Sequence, residues 1–207
     1  MSGEPRIPCG DAAQPAPSTH NCASGQPVDK PALRRALLDA RAAIPAARKA
    51  QWDGAICARV LAWWERDMAP RHRLLGVYWP LKGEPDLGPA YAALAARGVQ
   101  LALPVVLARD AALGFAEWQP GEALERDAMG VAVPAERRML ARPGALLIPC
   151  LGYNGARFRL GYGGGYYDRT LAALPRPVTA GVAYSLLAAD FASTPHDVAL
   201  DLVLTEA

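Results

Sequence analysis

The sequence lacks the features that mark several common classes of protein. Its 4 cysteines (Cys9, Cys22, Cys57 and Cys150) have neither CxxC nor other metal-ligand spacing. The chain is therefore interpreted as a protein with free thiols in a reducing compartment. Only 3 histidines are present, and they form no recognisable catalytic triad. The net charge is +2, which argues neither for nor against nucleic acid, so any basic site must be local.

Long apolar runs are also missing. No stretch is long enough to cross a membrane, so we expect no membrane partner. Residues 1–29 are rich in Pro, Gly, Ala and Ser and are predicted to be a disordered tail. This tail lacks the basic start and apolar centre of a secretory signal, and its prolines, acidic residues and few arginines do not fit a transit peptide. We expect a cytoplasmic monomer with no nucleic-acid partner.

Residues 30–207 carry the pattern of a single α/β domain. An apolar run at 74–79 is followed by a helical segment that Asp86 can cap, and by a second apolar run at 99–103, which Pro104 is predicted to end. This strand–helix–strand order predicts parallel strands. Further strands are predicted at 113–118, 145–148, 178–183 and 202–204, and further helices at 30–44, 46–67 and 165–173. The sum is a three-layer α/β/α domain with a mostly parallel, Rossmann-like sheet.

Residues 157–168, with the sequence RFRLGYGGGYYD, are the most informative segment. Glycines allow successive backbone N–H groups to turn inwards, where they form an anion site to which a helix N-terminus adds its dipole. The arginines supply charge for phosphate, and Asp168 supplies an oxygen ligand for Mg²⁺. The segment is therefore predicted to hold a nucleotide triphosphate and its metal ion.

Each of these residues also has a structural interpretation. The glycines match neither a Walker loop nor a dinucleotide fingerprint, so a simple turn is an alternative. Asp168 lies where a carboxylate stabilises the first turn of a helix without any metal. Tyr166 and Tyr167 are typical core residues, although one of them can face the site and stack on a flat ligand.

Two further groups outside this segment are candidates. Lys30, Arg34 and Arg41 share one face of the first helix, which is either a solvated face or a lid that donates cations to phosphates. Glu84 lies in a loop after a buried strand, where it is either solvated or an acceptor for the amine and amide edges of a ligand. Because Glu84 and the glycine segment both follow strands, we expect them at one edge of the sheet.

Together these motifs resemble the 5-formyltetrahydrofolate cyclo-ligase family, whose fold is similar to the sugar-phosphate isomerase and CoA-transferase type. The resemblance runs from about Lys30 to the C-terminus. It is carried mainly by RLGYGGGYYDR at 159–169, preceded by an apolar Leu-Ile-Pro at 147–149. The supporting pieces are Lys30-x-x-x-Arg34, Tyr78-Trp79-Pro80 before Glu84, Met129-Gly-Val-x-x-Pro134, and His196-Asp197-x-x-x-Asp201 followed by Thr205-Glu206.

The resemblance implies an enzyme that uses ATP and Mg²⁺ to convert 5-formyltetrahydrofolate into 5,10-methenyltetrahydrofolate. In that family ATP phosphorylates the formyl oxygen, N10 attacks the activated carbon, and phosphate leaves. Roles for individual residues are implied as well. ATP contacts are expected from Lys30, Arg34, Arg159, Leu160, Gly161, Tyr162, Gly163, Gly164, Gly165, Tyr166 and Tyr167; folate contacts from Trp79, Glu84, Met129 and Tyr167; magnesium ligation from Asp168 and Asp201; and catalysis from Arg159, Tyr167 and Asp168.

The chain departs from the family pattern at three positions. Some members carry a basic residue at the positions of Tyr162 and Gly164, so here the phosphate charge must be met by flanking arginines such as Arg157 and Arg159 and by the first helix. Met129 stands where an aromatic side chain is often seen, and methionine also packs against flat rings. Two other functions stay open: a non-catalytic nucleotide- or folate-binding module of the same fold, and a sugar-phosphate or thioester enzyme of that fold.

Overall fold

The computed structural model describes residues 28–207, so residues 1–27 of the predicted tail, with Cys9 and Cys22, lie outside the described residues. The helices are α1 (Lys30–Ala42), α2 (Ala46–Trp63), which continues into a π-helical turn at Trp64–Met68, α3 (Gly88–Ala96) and α4 (Tyr166–Ala172). The strands are β1 (Leu74–Gly76), β2 (Gln100–Val106), β3 (Leu113–Trp118), β4 (Leu124–Arg126), β5 (Ala132–Pro134), β6 (Met139–Leu140), β7 (Ala145–Pro149), β8 (Gly152–Tyr153), β9 (Arg159–Leu160), β10 (Val178–Val182) and β11 (Leu202–Leu204).

Within residues 28–207 the centre of the molecule is a seven-stranded sheet in the order β11-β10-β7-β1-β2-β3-β6. The five strands from β11 to β2 are parallel, whereas β3 and β6 are each antiparallel to the strand before them in the sheet. β1, α3 and β2 form the predicted strand–helix–strand unit, with Gly76 opposite Ala102. The strands β4–β5 and β8–β9 form two short antiparallel pairs beside this sheet.

The sheet is covered on both faces, which explains why its central strands are continuously apolar. In β7, Leu147 belongs to the core that contains residues of α1, α2 and α3. Its neighbours Leu146 and Ile148 point the other way, into a second core that includes Leu171 of α4. Parallel strands that are buried on both faces need no polar alternation. The predicted three-layer α/β/α architecture is confirmed.

The second strand differs from the prediction, because β2 continues through Pro104 to Val106. Its parallel partner β1 ends at Gly76, opposite Ala102, so beyond that point β2 pairs only with β3, where Pro104 lies opposite Phe115. A proline is tolerated in a strand that has no partner on one side. β1 is correspondingly shorter than the predicted run at 74–79.

Membrane-spanning character is not found in the described part of the chain: no helix between residues 28 and 207 is both long and apolar enough to cross a bilayer.

Candidate active site

A cleft of about 490 Å³ opens where β1, β2 and β7 end. These three strands are parallel, so their carboxyl ends meet at one edge of the sheet. The cleft brings together nearly all of the predicted site residues: Lys30, Arg34, Trp79, Glu84, Met129, Arg159, Leu160, Gly161, Tyr162, Gly163, Gly164, Gly165, Tyr166, Tyr167 and Asp168. Asp201 is the one member of the predicted set that does not line it.

Residues 161–165, here called the glycine loop, connect β9 to α4. Gly163 and Gly165 have φ values of 99° and 65°, a region that residues with a Cβ rarely adopt. A Cβ at Gly164 would lie 2.8 Å from the ring of Tyr166, and one at Gly165 would lie 2.8 Å from Arg169 Nη1. The left-handed φ values favour glycine at Gly163 and Gly165, and a side chain at Gly164 would require the Tyr166 ring to move.

Two cations of α1, Lys30 and Arg34, line the cleft, and Arg34 contacts the glycine loop. Arg34 Nε donates to the carbonyl oxygen of Gly161 at 2.8 Å. Lys30 Nζ lies 3.3 Å from Asp197 Oδ2, and both basic side chains line the cleft. This face of α1 is turned towards the loop rather than only towards solvent. Because α4 has only 7 residues, its dipole is small, and the side-chain cations supply most of the positive charge.

Arg159 and Asp168 form an ion pair at the start of α4. Arg159 Nη2 lies 2.8 Å from Asp168 Oδ2, and the two side chains are 5% and 23% exposed. Asp168 Oδ1 accepts from the Val198 N–H at 3.3 Å, which lies outside α4. Within residues 28–207, Arg159 Nη1 is buried without a hydrogen-bond partner. A buried donor without a partner is costly, and an oxygen of a bound phosphate would satisfy it.

Tyr167 packs against the core and also lines the cleft. Its ring packs against the second core, on the α4 side of the sheet, and Arg159 Cζ lies 5.6 Å from the ring centroid. Burial raises the pKa of the Tyr167 hydroxyl above its ordinary value, so this group is a neutral hydrogen-bonding group at physiological pH.

Glu84 lies at the floor of the cleft and is only 2% exposed. A turn in which Lys82 and Gly83 have φ values of 49° and 77° brings it there. Its Oε2 accepts from the Leu81 N–H at 2.9 Å, and its Oε1 accepts from the Tyr162 hydroxyl at 2.7 Å. Burial raises the pKa of Glu84, and these hydrogen bonds offset part of that rise. The carboxylate is thus a fixed acceptor in a largely apolar setting.

Trp79 and Met129 form apolar walls of the cleft. Trp79 is 37% exposed, and its ring meets Trp118 edge-on with the centroids 5.7 Å apart. Met129 is 56% exposed in the loop between β4 and β5, which is held by hydrogen bonds from Met129 N–H and Val131 N–H to Asp127 Oδ1, both 2.9 Å. Apolar walls around one buried acceptor suit a flat ligand with polar edges.

The structure places the two aspartates near the C-terminus in different surroundings. Asp197 lines the cleft, and the next residue, Val198, contacts Asp168. Asp201 instead accepts hydrogen bonds from both the N–H and the hydroxyl of Thr179, each at 2.7 Å, near the start of β10. The structure does not bring the predicted pair Asp168 and Asp201 together in the cleft, because Asp201 does not line it and Thr179 holds the Asp201 carboxylate.

Sequence reasoning gave too little weight to two residues. In the sequence, Asp197 stands out only as the neighbour of His196, and no spacing rule favours it over Asp201 as a magnesium ligand. Arg41 was visible as the third cation on the face of α1, yet it is only 2% exposed. Its position two turns beyond Arg34 on the same face was the available signal.

The sequence model of the 5-formyltetrahydrofolate cyclo-ligase family matches residues 26–206. A protein named 5-formyltetrahydrofolate cyclo-ligase from Mycoplasma pneumoniae is 29% identical over 181 residues, which cover 86% of this chain and 99% of the relative. A protein of the same name from Mycolicibacterium smegmatis is 32% identical over 192 residues, with 86% and 94% coverage.

Solved structures agree with these matches. A 5,10-methenyltetrahydrofolate synthetase from Mycoplasma pneumoniae superposes with a TM-score of 0.72 at 28% identity, covering 86% of this chain and 99% of that one. The synthetase from Aquifex aeolicus superposes with a TM-score of 0.72 at 23% identity, covering 86% and 89%, and shows likeness of fold alone. This chain belongs to the 5-formyltetrahydrofolate cyclo-ligase family.

Proposed function

We propose that this protein converts 5-formyltetrahydrofolate into 5,10-methenyltetrahydrofolate, with ATP as co-substrate and ADP and phosphate as products. The observation that carries the proposal is that a single cleft has two chemically different halves. One half combines the glycine loop with Lys30, Arg34 and Arg159, and the other combines apolar walls with the buried acceptor Glu84. A triphosphate fits the first half, and a flat folate ring fits the second.

The ATP half is proposed from its donors. The left-handed glycines leave room for phosphate to approach the backbone N–H groups of the loop. In the described chain, the Nη atoms of Arg34 make no hydrogen bond while its Nε is held by Gly161, so they are available to phosphate. Arg159 Nη1 is the second available donor.

Magnesium fits the carboxylates beside this loop. Mg²⁺ in nucleotide sites is held by one or two carboxylates together with phosphate oxygens and water, and no group of three or more His, Cys, Asp or Glu suited to a metal occurs within residues 28–207. We propose that Asp168 and Asp197 hold the ion. Burial alone would raise the pKa of Asp197, but hydrogen bonds from Thr194 and Lys30 outweigh it and lower this pKa, so the side chain is charged at neutral pH. When bound, the ion would offset charge on the phosphates.

The folate half is proposed from Glu84, Trp79 and Met129. Each oxygen of Glu84 has one protein donor, and a carboxylate oxygen can accept a second hydrogen bond. Glu84 can therefore accept from the amino and N–H edge of a pterin while it stays fixed. Trp79 and Met129 would contact the faces of the ring.

The proposed reaction needs the formyl oxygen to become a good leaving group. Transfer of the γ-phosphoryl group of ATP to this oxygen does so and releases ADP. N10 then forms a bond to the formyl carbon and loses its proton, the carbon–oxygen bond breaks, and phosphate departs. The protein mainly positions the two substrates and neutralises charge, with Arg159 and Asp168 at the transferred group and Tyr167 between the two halves.

The proposal is tested by incubating the purified protein with 5-formyltetrahydrofolate, ATP and Mg²⁺ and following the absorbance of the methenyl product. Product should form only when all three are present, and Asp168→Asn should reduce the rate by about 10²-fold or more while remaining folded. Folded wild-type protein that makes no product would overturn the proposal and favour a non-catalytic binding module. Monomeric state, cytoplasmic location and the lack of nucleic-acid and membrane partners stay predictions.

A further inference from the structure

Two buried ionisable side chains face each other through one hydroxyl group. Arg41 of α1 and Glu84 are both 2% exposed, and the side chain of Tyr162 stands between them. Arg41 Nη2 donates to the Tyr162 hydroxyl at 2.6 Å, and this hydroxyl donates to Glu84 Oε1 at 2.7 Å. Tyr162 belongs to the glycine loop, so the chain of hydrogen bonds links α1, the glycine loop and the floor of the folate half.

Arg41 also holds the turn that presents Glu84. Its Nε donates to the carbonyl oxygen of Lys82 at 3.0 Å. Two cations lie close to the ring of Tyr162, with Arg41 Cζ at 5.9 Å and Lys82 Nζ at 5.2 Å from its centroid. Arg41 thus contacts both the residue that donates to Glu84 and the backbone two residues before it.

We propose that Arg41 is a positioning residue for folate recognition, which acts through Tyr162 to fix the Glu84 carboxylate as a charged acceptor at the floor of the cleft. This inference rests on the proposed function, in which Glu84 receives the polar edge of the folate. Arg41 does not line the cleft, so it acts on the substrate through the groups it contacts, which are the Tyr162 hydroxyl and the backbone of the turn that presents Glu84.

Of the two cations in residues 28–207 that lower the pKa of Glu84, Arg41 is the buried one. Lys82, on the same turn, is exposed and is screened by solvent. The other groups that face Glu84 are phenols and a thiol whose pKa values are raised mainly by burial, so they are uncharged at neutral pH: Tyr78, Tyr91, Tyr162, Tyr167 and Cys150. Loss of Arg41 would leave Glu84 without a buried counter-charge.

The test compares Arg41→Gln, Arg41→Lys and Tyr162→Phe with Arg35→Gln, which changes an exposed arginine of the same helix. Arg41→Gln should raise the KM for 5-formyltetrahydrofolate by about tenfold or more, the effect of one charge-assisted hydrogen bond. The KM for ATP should change by less than about threefold, because Arg41 contacts the glycine loop through the Tyr162 hydroxyl and not through a backbone N–H group. Arg35→Gln should match wild type in both.

The pH dependence of the folate KM separates positioning from simple structural support. Burial already raises the pKa of Glu84, and Arg41 lowers it again in part. In Arg41→Gln this pKa rises further, so the charged form is lost at a higher pH and the acid-side increase in folate KM should move to higher pH. Arg41→Lys keeps the positive charge, so its acid-side increase in folate KM should occur at a pH closer to that of the wild type.

A double-mutant cycle tests whether Arg41 acts through Tyr162. If it does, adding Arg41→Gln to Tyr162→Phe should raise the folate KM little beyond that of Tyr162→Phe alone. Additive effects, or an Arg41→Gln variant whose folate KM and pH profile match those of Arg35→Gln, would overturn the inference.

If Arg41→Gln does not fold, the test rests on Tyr162→Phe, because Tyr162 is 41% exposed and its change is tolerated more easily. An unchanged folate KM in Tyr162→Phe would then overturn the inference. Wild-type turnover is measured in the same series. If the proposed function is wrong, the wild-type protein itself forms no product, which distinguishes that outcome from failure of the inference about Arg41.

Discussion

At the scale of single residues, charge placement decides what the cleft can bind. Asp197 and Asp201 are only four positions apart, yet one lines the cleft and the other accepts two hydrogen bonds from Thr179 near the start of β10. Their surroundings predict different roles: Asp197 binds the metal ion, and Asp201 stabilises the fold near the start of β10.

Asp197→Asn and Asp201→Asn form a matched pair that tests this division. Asp197→Asn should raise the Mg²⁺ concentration needed for half-maximal product formation by about tenfold, because a charged oxygen ligand is lost. Asp201→Asn should leave that concentration unchanged and lower the free energy of unfolding by about 1 kcal/mol, since hydrogen bonds to a charged group become bonds to a neutral one. Magnesium titrations and thermal melts measure the two effects. The opposite assignment of effects would return the metal to Asp201.

At the scale of elements, the proposed phosphate site combines the backbone of the glycine loop with charged side chains from other elements. The loop has no internal Lys or Arg, and its cations come from α1 and from Arg159 of β9. The loop itself supplies a left-handed backbone, which is available only to glycine at low cost.

Gly165→Ala tests the contribution of loop shape. At φ 65°, with a Cβ 2.8 Å from Arg169 Nη1, alanine should distort the loop and raise the KM for ATP by about tenfold, a loss of about 1.4 kcal/mol of binding. The folate KM should change far less. The control is Gly155→Ala, where a Cβ would meet nothing within 4 Å. Equal KM values for ATP in the two variants would show that the loop does not shape the ATP site.

Most elements could be predicted from the sequence because their apolar periodicity is strong. The helices α1 and α4, the strand–helix–strand unit and the buried strand β7 all follow from the local apolar pattern. Pro104 could not be placed, because its tolerance depends on where β1 ends, which is a property of the partner strand.

Most residues of the cleft were predicted from motifs and from the family resemblance, but contacts between distant motifs were not. The glycine loop and Asp168 form one motif, whereas the contact between Arg41 and Tyr162 spans 121 positions. Contacts at that separation are set by tertiary packing and leave no local pattern.

At the scale of the whole molecule, the cleft connects parts of the chain that are far apart in sequence. α1, the sheet edge, the loop between β4 and β5 and the segment before β11 all contribute residues to it. A ligand that contacts several of these segments should stabilise the folded state, because it binds that state and not the unfolded chain.

Thermal melts with different ligands test this expectation. ATP with Mg²⁺ at about one-hundred-fold its Kd should raise the melting temperature by about 5 to 10 °C. Arg34→Gln should reduce this rise, because it removes a guanidinium beside the glycine loop. Stabilisation by sugar phosphates in place of ATP would instead favour a sugar-phosphate enzyme of the same fold.

The central claim is that both substrates meet in this cleft and that the formyl oxygen is phosphorylated there. The most direct measurement uses 5-formyltetrahydrofolate labelled with ¹⁸O in the formyl group and follows the label by mass spectrometry after turnover with ATP and Mg²⁺. The account predicts that the label appears in the released inorganic phosphate, with one ADP formed for each methenyl product. Unlabelled phosphate, with the formyl oxygen lost to water, would contradict it.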